Sequence, residues 1–535
     1  MTRILMMLTF CFSLISSAQS SMNMQLIAEK SYNVDINDIW AYVAPNGDEF
    51  ALVGMQNGVS IVDLNQTPSL PEVFRYTGVP SVWRDLKTFG NYAYITHDQT
   101  LNPWVMKPQG LLIIDLDSVE FGKTPKWYRR KIAIPQLSGN FDTLKTAHNL
   151  YIDENGVCYI FGADVGLGGA IMLDITTDPI NPSFIGIYNE VYLHDGMVRG
   201  DTLWGSAVFN GDFKVIDVSN KAAPVTIGAK TTSSQFTHNA WISDNNKVLF
   251  TTDEVNAAFI GSYDVSDMGN IQELDLINSS LSSQAIPHNT HVYGDFLVSS
   301  YYTSGVQVVD ASEPDILVEV GYYDTSPSFS GTGFNGAWGA FPYLPSERIL
   351  VTDMEEGLKV LSTEYPRASF WRGTIVDLSS NNTIAAAQIT ESNGLFSGTS
   401  NINGDFKWGG LTNGISNLSV SASGYNTANA SIQLSPGLVN RDTIFLSPLG
   451  FSLIEKAQAK VLIYPNPSHN TFEIDFPTLE MGRIEIVDIS GRVLHQFERG
   501  LEKKIQLSLN LKPGAYILQY FSEYNNSFQR RIQIL

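Results

Sequence analysis

Short apolar runs that end on an aspartate recur along the first two thirds of the chain: "VSIVDL" at 59–64, "LLIIDL" at 111–116, "IMLDI" at 171–175, "FKVIDVS" at 213–219, "GSYDVS" at 261–266 and "VQVVDAS" at 306–312. Alternation with a period of two is the signature of a strand. Each run closes the same sequence of features. A polar entry leads to a short strand, a turn, a second strand and a turn that usually contains glycine, and then the apolar strand follows. The copy at 287–312, "PHNTHVYGDFLVSSYYTSGVQVVDAS", is typical, and a seventh ends in "GLKVLS" at 357–362. The terminal residues are Asp63, Asp115, Asp174, Asp217, Asp264 and Asp310, with Ser362 in the seventh copy. Five residues upstream stand Gly58, Gly110, Gly169, Gly305 and Gly357, with Asp212 and Phe259 as exceptions. Glycine there suits a turn needing positive φ, and a short aspartate can accept bonds from loop amides.

A proline-containing loop and a further alternating run, such as "NPSFIGIYN", follow each aspartate. Four strands per unit at this spacing predict a seven-bladed β-propeller over residues 24–363. The seventh copy lacks a convincing fourth strand before "PRASFWRG", whereas "MQLIAEKSYNV" at 24–34 has no unit of its own. The N-terminal strand is therefore expected to complete the last blade and remove two open edges.

Aligned on the entry to the first strand, the copies place Arg84, His148, His194, His238, His288 and Asn335 in one column, with Ile39 in the first copy. The next position holds Asp85, Asn149, Asp195, Asn239, Asn289 and Gly336. In a propeller these positions converge on one mouth of the central channel. Three readings of the column stand side by side. His148, His194, His238 and His288 could ligate a divalent metal, although Arg84 would oppose a cation and no carboxylate shares the column. The whole column could bind a polar ligand, with Trp40, Trp83, Trp241 and Trp338 available for stacking. The side chains could also just tie neighbouring strands together. His97, Asp98, Asp164, Asp253, Glu254, Asp353, Glu355 and Glu356 fall at second-strand ends, as acids and bases for catalysis or as solvated turn residues. His291, three residues beyond His288, is assigned to packing or to an interface between units of the repeat.

Composition narrows the partners. Against 33 Lys+Arg stand 54 Asp+Glu, a formal charge of −21 that disfavours nucleic acid. "MTRILMMLTFCFSLISSAQS" reads as a signal peptide cut after Ala18, and no later stretch is apolar enough to span a bilayer. Cys11 lies in that peptide, so Cys158 is left without a disulfide partner and is expected in a buried strand. No metalloprotease, serine-hydrolase, P-loop or dinucleotide motif occurs in a supporting context.

The strand words "VSIVDL", "VQVVDAS" and "FKVIDVS" resemble the LVIVD repeats of secreted choice-of-anchor B proteins. Residues 370–449, with Gly373, "NGDF" at 403–406 and "GY" at 424–425, resemble a carboxypeptidase regulatory-like β-sandwich, a spacer or adhesive module. Residues 461–535 carry "VLIYPNPSHNTFEIDF", "RIEIVDISGRVL" and "LKPGAYILQY", which resemble the C-terminal sorting domain of type IX secretion substrates of Bacteroidetes. That resemblance implies recognition by the type IX machinery, then release or attachment at the outer-membrane surface. The expectation is an all-β, secreted or surface-displayed monomer. Its central face would bind an extracellular ligand, glycan or protein, and the alternative is a metal-dependent hydrolase or lyase built on the histidine column.

Overall fold

The computed structural model describes residues 19–98, 109–135, 140–449, 461–476, 479, 481–522 and 527–535; the expected signal peptide at 1–18 lies outside them. No helix occurs among the described residues. The chain divides into two compact units. The first comprises residues up to 371 with 407–414 and 434–440, and the second comprises 372–406, 415–433 and 441–535.

Among the described residues of the first unit seven antiparallel sheets of four or five strands follow one another along the chain, with the two-stranded pair Ala133–Pro135 and Phe141–Thr143 between the second and third. Sheet one is Ile36–Val43, Glu49–Met55, Gly58–Asp63 and Glu72–Thr77 in that order, and sheets two to five repeat this four-strand meander. Sheet six runs Thr290–Tyr293, Phe296–Ser300, Val306–Asp310 and Val318–Tyr323, with the short Ser21–Met22 added at its edge. Sheet seven takes three strands from its own copy, Ala337–Phe341, Ile349–Asp353 and Gly357–Thr363, and its fourth is the N-terminal Met24–Lys30.

The glycine column has a steric cause beyond the turn. A Cβ on Gly58 would stand 1.8 Å from the carbonyl oxygen of Tyr76, on Gly110 2.2 Å from that of Arg130, and on Gly169 2.1 Å from that of Tyr188. In each case the outermost strand lies where a side chain would begin. Gly357 meets Lys30 in the same way, at 2.3 Å, so the N-terminal strand occupies the place that a fourth strand occupies elsewhere. Gly169 is not at positive φ, which makes close approach the more general reason for the column. The aspartates behave uniformly: Asp63, Asp115, Asp174, Asp217, Asp264 and Asp310 each accept from the amide two residues on, at 2.8–3.2 Å.

Consecutive sheets pack face to face, and the series returns to its start. The first strand of each sheet touches the first strand of the next, and Ala337–Phe341 touches Ile36–Val43. The apolar cores lie between neighbours. Val298 and Val308 meet Val351 and Leu361 between sheets six and seven, and Leu350 and Val360 meet Ala51 and Val53 between seven and one. Each such fully buried aliphatic side chain contributes about 1.5–3 kcal/mol. Cys158 is free and buried among them.

In the second unit, Ser397–Thr399, Gln388–Glu391, Gly414–Ser421 and Ala428–Leu434 form one four-stranded sheet. Toward the C-terminus, Leu462–Tyr464, Thr471–Asp475 and Lys504–Ser508 form a three-stranded sheet, and Val493–Arg499, Gly482–Val487, Gly514–Ser522 and Ser527–Ile534 a four-stranded one. Phe472, Ile474, Ile484, Leu518, Phe528 and Ile532 fill the space between these last two sheets.

Candidate functional site

The histidine column assembles. His148, His194, His238 and His288 form an arc whose successive ring centroids are 3.9, 4.3 and 4.6 Å apart. Each stands at the entry to the first strand of sheets three to six, where His148, His194 and His288 donate their own amides to the second strand. The neighbouring sheets are clasped at the same level. Thr96 Oγ1 donates to the His148 carbonyl at 3.2 Å, Thr252 Oγ1 donates to that of His288, and Ser300 Oγ donates to that of Trp338 at 2.7 Å.

Two column assignments are corrected by register. Sheet five bulges between Thr237 and Asn239, which sets His238 apart, and sheet seven bulges between Ala337 and Gly339. Trp338 is therefore the counterpart of His238, and not Asn335, whose Nδ2 donates to Glu355 at 2.6 Å. In sheet one the bulge between Ile36 and Ile39 puts Asn37 and Asp38 at the entry, whereas Ile39 belongs to the apolar core. Arg84 holds its column position but turns inward. It is 1 % exposed, and its Nε and Nη2 donate to the carbonyls of Met55 and Val79 at 3.1 and 2.7 Å. Burial, with Arg129 nearby, pulls it down to about 9.

Carboxylates join the arc from the second-strand ends. Asp98 Oδ2 lies 2.9 Å from His148 Nδ1. Glu254 lies between two imidazoles, with Oε2 3.5 Å from His238 Nε2 and Oε1 3.7 Å from His288 Nε2. Tyr302 donates to Glu254 Oε1 at 2.6 Å. Other acids at second-strand ends are occupied locally: Asp253 by Thr232, Ser234 and Phe236, Asp353 by Thr325 and Ser326, and Asp164 by the amides of Lys145 and Thr146. His97 is buried with neither ring nitrogen bonded. Burial, then Arg129 and Arg84, holds it down at about 3.

Burial also sets the state of the imidazoles. Loss of hydration, followed by the neighbouring rings, holds His238 and His288 down at about 3 and His194 well below its ordinary value. These rings are neutral and have lone pairs to offer. His148, His194 and His238 bring one ligand atom each within 4.8 Å of one another, as do His238, Glu254 and His288. A cavity of about 20 Å³ lies against His148, His238, His288, Arg84, Asp85 and Trp338, among others. That is room for one water or one ion.

Below the arc the next column position builds a buried polar layer. Lys87 Nζ lies 2.5 Å from Asp85 and 3.7 Å from Asp38, and Asn239 donates to Asp195 at 2.8 Å. Lys87 was not singled out by the sequence, because a lone lysine inside a strand carries no repeat signal. Beneath it His291 packs edge to face on Trp241 and Tyr343, at 4.5 and 5.9 Å, with Trp40 tilted against it and the Trp241 and Tyr343 rings stacked. Around the arc, Trp83, Phe209 and Phe334 are 41, 76 and 57 % exposed. Trp83 lies 6.1 Å from His148, Phe334 packs on Tyr302, and Phe209 packs on Tyr192, which adjoins His194.

The arrangement defines an all-β repeat protein with a buried imidazole–carboxylate centre. Two family models match parts of the chain: the secretion system C-terminal sorting domain over residues 462–534 and the LVIVD repeat over residues 207–232. The chain is accordingly secreted and attached to the cell surface, and its tail engages the type IX secretion machinery. No curated protein matches the chain. Among solved structures, that of the computationally designed Ika8 protein aligns with 10 % identity and a TM-score of 0.41, over 63 % of this chain and 99 % of the other.

Proposed function

We propose that the first unit is a closed seven-bladed β-propeller displayed at the cell surface, and that the face carrying the histidine arc binds an extracellular ligand. Closure is supported by the return of contact from Ala337–Phe341 to Ile36–Val43 and by the N-terminal strand in sheet seven. The observation that carries ligand binding is the arc itself, four imidazoles gathered at one mouth and ringed by the exposed Trp83, Phe209 and Phe334. Exposed aromatics around a polar centre are a liability in water unless something covers them. The 20 Å³ cavity excludes a sugar ring or peptide from the interior, so a larger ligand rests on the rim. In this reading the sandwich at 370–449 is a spacer of the carboxypeptidase regulatory-like kind, and the repeats belong with choice-of-anchor B proteins.

The test compares the full chain with a Trp83→Ala/Phe209→Ser/Phe334→Ser variant on a panel of immobilised neutral and acidic polysaccharides. Binding that disappears in the variant supports the reading. Equal binding by both, or by neither, contradicts it.

A further inference from the structure

The geometry points to a divalent transition-metal site formed by His238 Nε2, His288 Nε2 and the Glu254 carboxylate, with the adjoining His194 and His148 on its open side. Distances carry the argument. Separations of 3.5 and 3.7 Å between the two Nε2 atoms and Glu254 are too long for hydrogen bonds. Two ligand atoms each about 2.0–2.1 Å from one tetrahedral ion stand roughly 3.4 Å apart, so both Glu254–imidazole separations suit donors sharing an ion, and ligand atoms of all three groups lie within 4.8 Å of one another.

The surroundings orient the donors. The His288 Nδ1 donates to the Trp338 carbonyl, which fixes the tautomer and leaves Nε2 as the lone-pair donor facing Glu254. His148 is held in the same manner by Asp98 at 2.9 Å. Asn289 Oδ1 and His238 Nδ1 are both buried without a hydrogen-bond partner. Tyr302 fixes Glu254 Oε1 at 2.6 Å. His238 and His288 are both 3 % exposed, and His238 Nδ1 is a buried ring nitrogen without a hydrogen-bond partner. The cavity beside them has room for one ion.

The donor set selects the ion. Two imidazoles and a carboxylate favour Zn²⁺ and its late first-row neighbours over Mg²⁺ or Ca²⁺, which take oxygen ligands. Arg84, the one fixed cation in the column, also borders this cavity; its Nε and Nη2 donate to backbone carbonyls, and its buried Nη1 has no partner. The proposal rests on reading the arc as a binding site rather than as a set of ties between strands.

The experiment strips the full chain with a chelator, then titrates it with Zn²⁺ and with Mg²⁺ by calorimetry, alongside Glu254→Gln, His238→Gln and His288→Gln. Circular dichroism monitors the fold of each protein. The expected result is one equivalent of Zn²⁺, no Mg²⁺, and at least a hundredfold weaker Zn²⁺ binding in each variant. Folded wild type that takes up no Zn²⁺, or folded Glu254→Gln that binds as wild type does, overturns the site. Folded wild type that takes up no Zn²⁺ yet still binds polysaccharide would sink the metal proposal alone and leave the rim reading standing.

Discussion

His288 and His291 enter the same sheet three residues apart, and by burial they look alike. They are 3 and 7 % exposed, and loss of hydration holds both at about 3. Their neighbours differ completely. His288 sits among imidazoles with Glu254 before it, whereas His291 is wedged between Trp241, Trp40 and Tyr343. A depressed pKa therefore reports desolvation in both layers, and the chemistry is decided by what the free lone pair faces. The upper layer gathers donors around a small cavity, and the lower one closes the axis with rings.

The boundary between the layers offers the strongest way to break this contrast. Lys87 compensates Asp85 and Asp38 and lies over the Trp40 ring at 4.5 Å. Lys87→Met would leave two carboxylates buried without their cation and should cost about 3–5 kcal/mol, read from denaturant midpoints. Trp241→Ala removes the centre of the lower layer and should cost about 3 kcal/mol, while the folded fraction still takes up zinc. If Trp241→Ala abolished metal uptake in folded protein, the layers would not be separable.

A pH profile should fail to separate them. An imidazole whose folded value lies below 6.5 contributes stability that is complete above pH 6.5 and is lost as pH falls toward 3, because the unfolded chain takes up the proton first. In chelator, His288→Gln and His291→Gln should each flatten the stability profile between pH 6.5 and 4, by up to about 1.4 kcal/mol per pH unit. A flattening confined to one of them would contradict the shared cause. The smallest effect is expected from Asp98→Asn, whose carboxylate is 30 % exposed: under about 1 kcal/mol in stability.

Periodicity made the aspartate and glycine columns, the fourth strand from the N-terminus and four of the arc's histidines legible, because each recurs in register. What stayed hidden entered from outside the register. Glu254 stood among several second-strand acids with nothing in the sequence to separate it from Asp253, which three groups of its own loop engage. Bulges displaced the alignment at both ends of the repeat array, so Asn335 and Ile39 took the places of Trp338 and Asn37. Arg84 kept the polar character of its column while the backbone carbonyls of Met55 and Val79 drew it inward.

Anomalous diffraction at the zinc edge, from crystals of the full chain soaked in Zn²⁺, tests the central claim most directly. A single peak about 2.1 Å from His238 Nε2 and His288 Nε2, with Glu254 as the third ligand, is the predicted result. Crystals in which no peak appears in the arc, and His288 Nε2 instead bonds directly to Glu254, would contradict it.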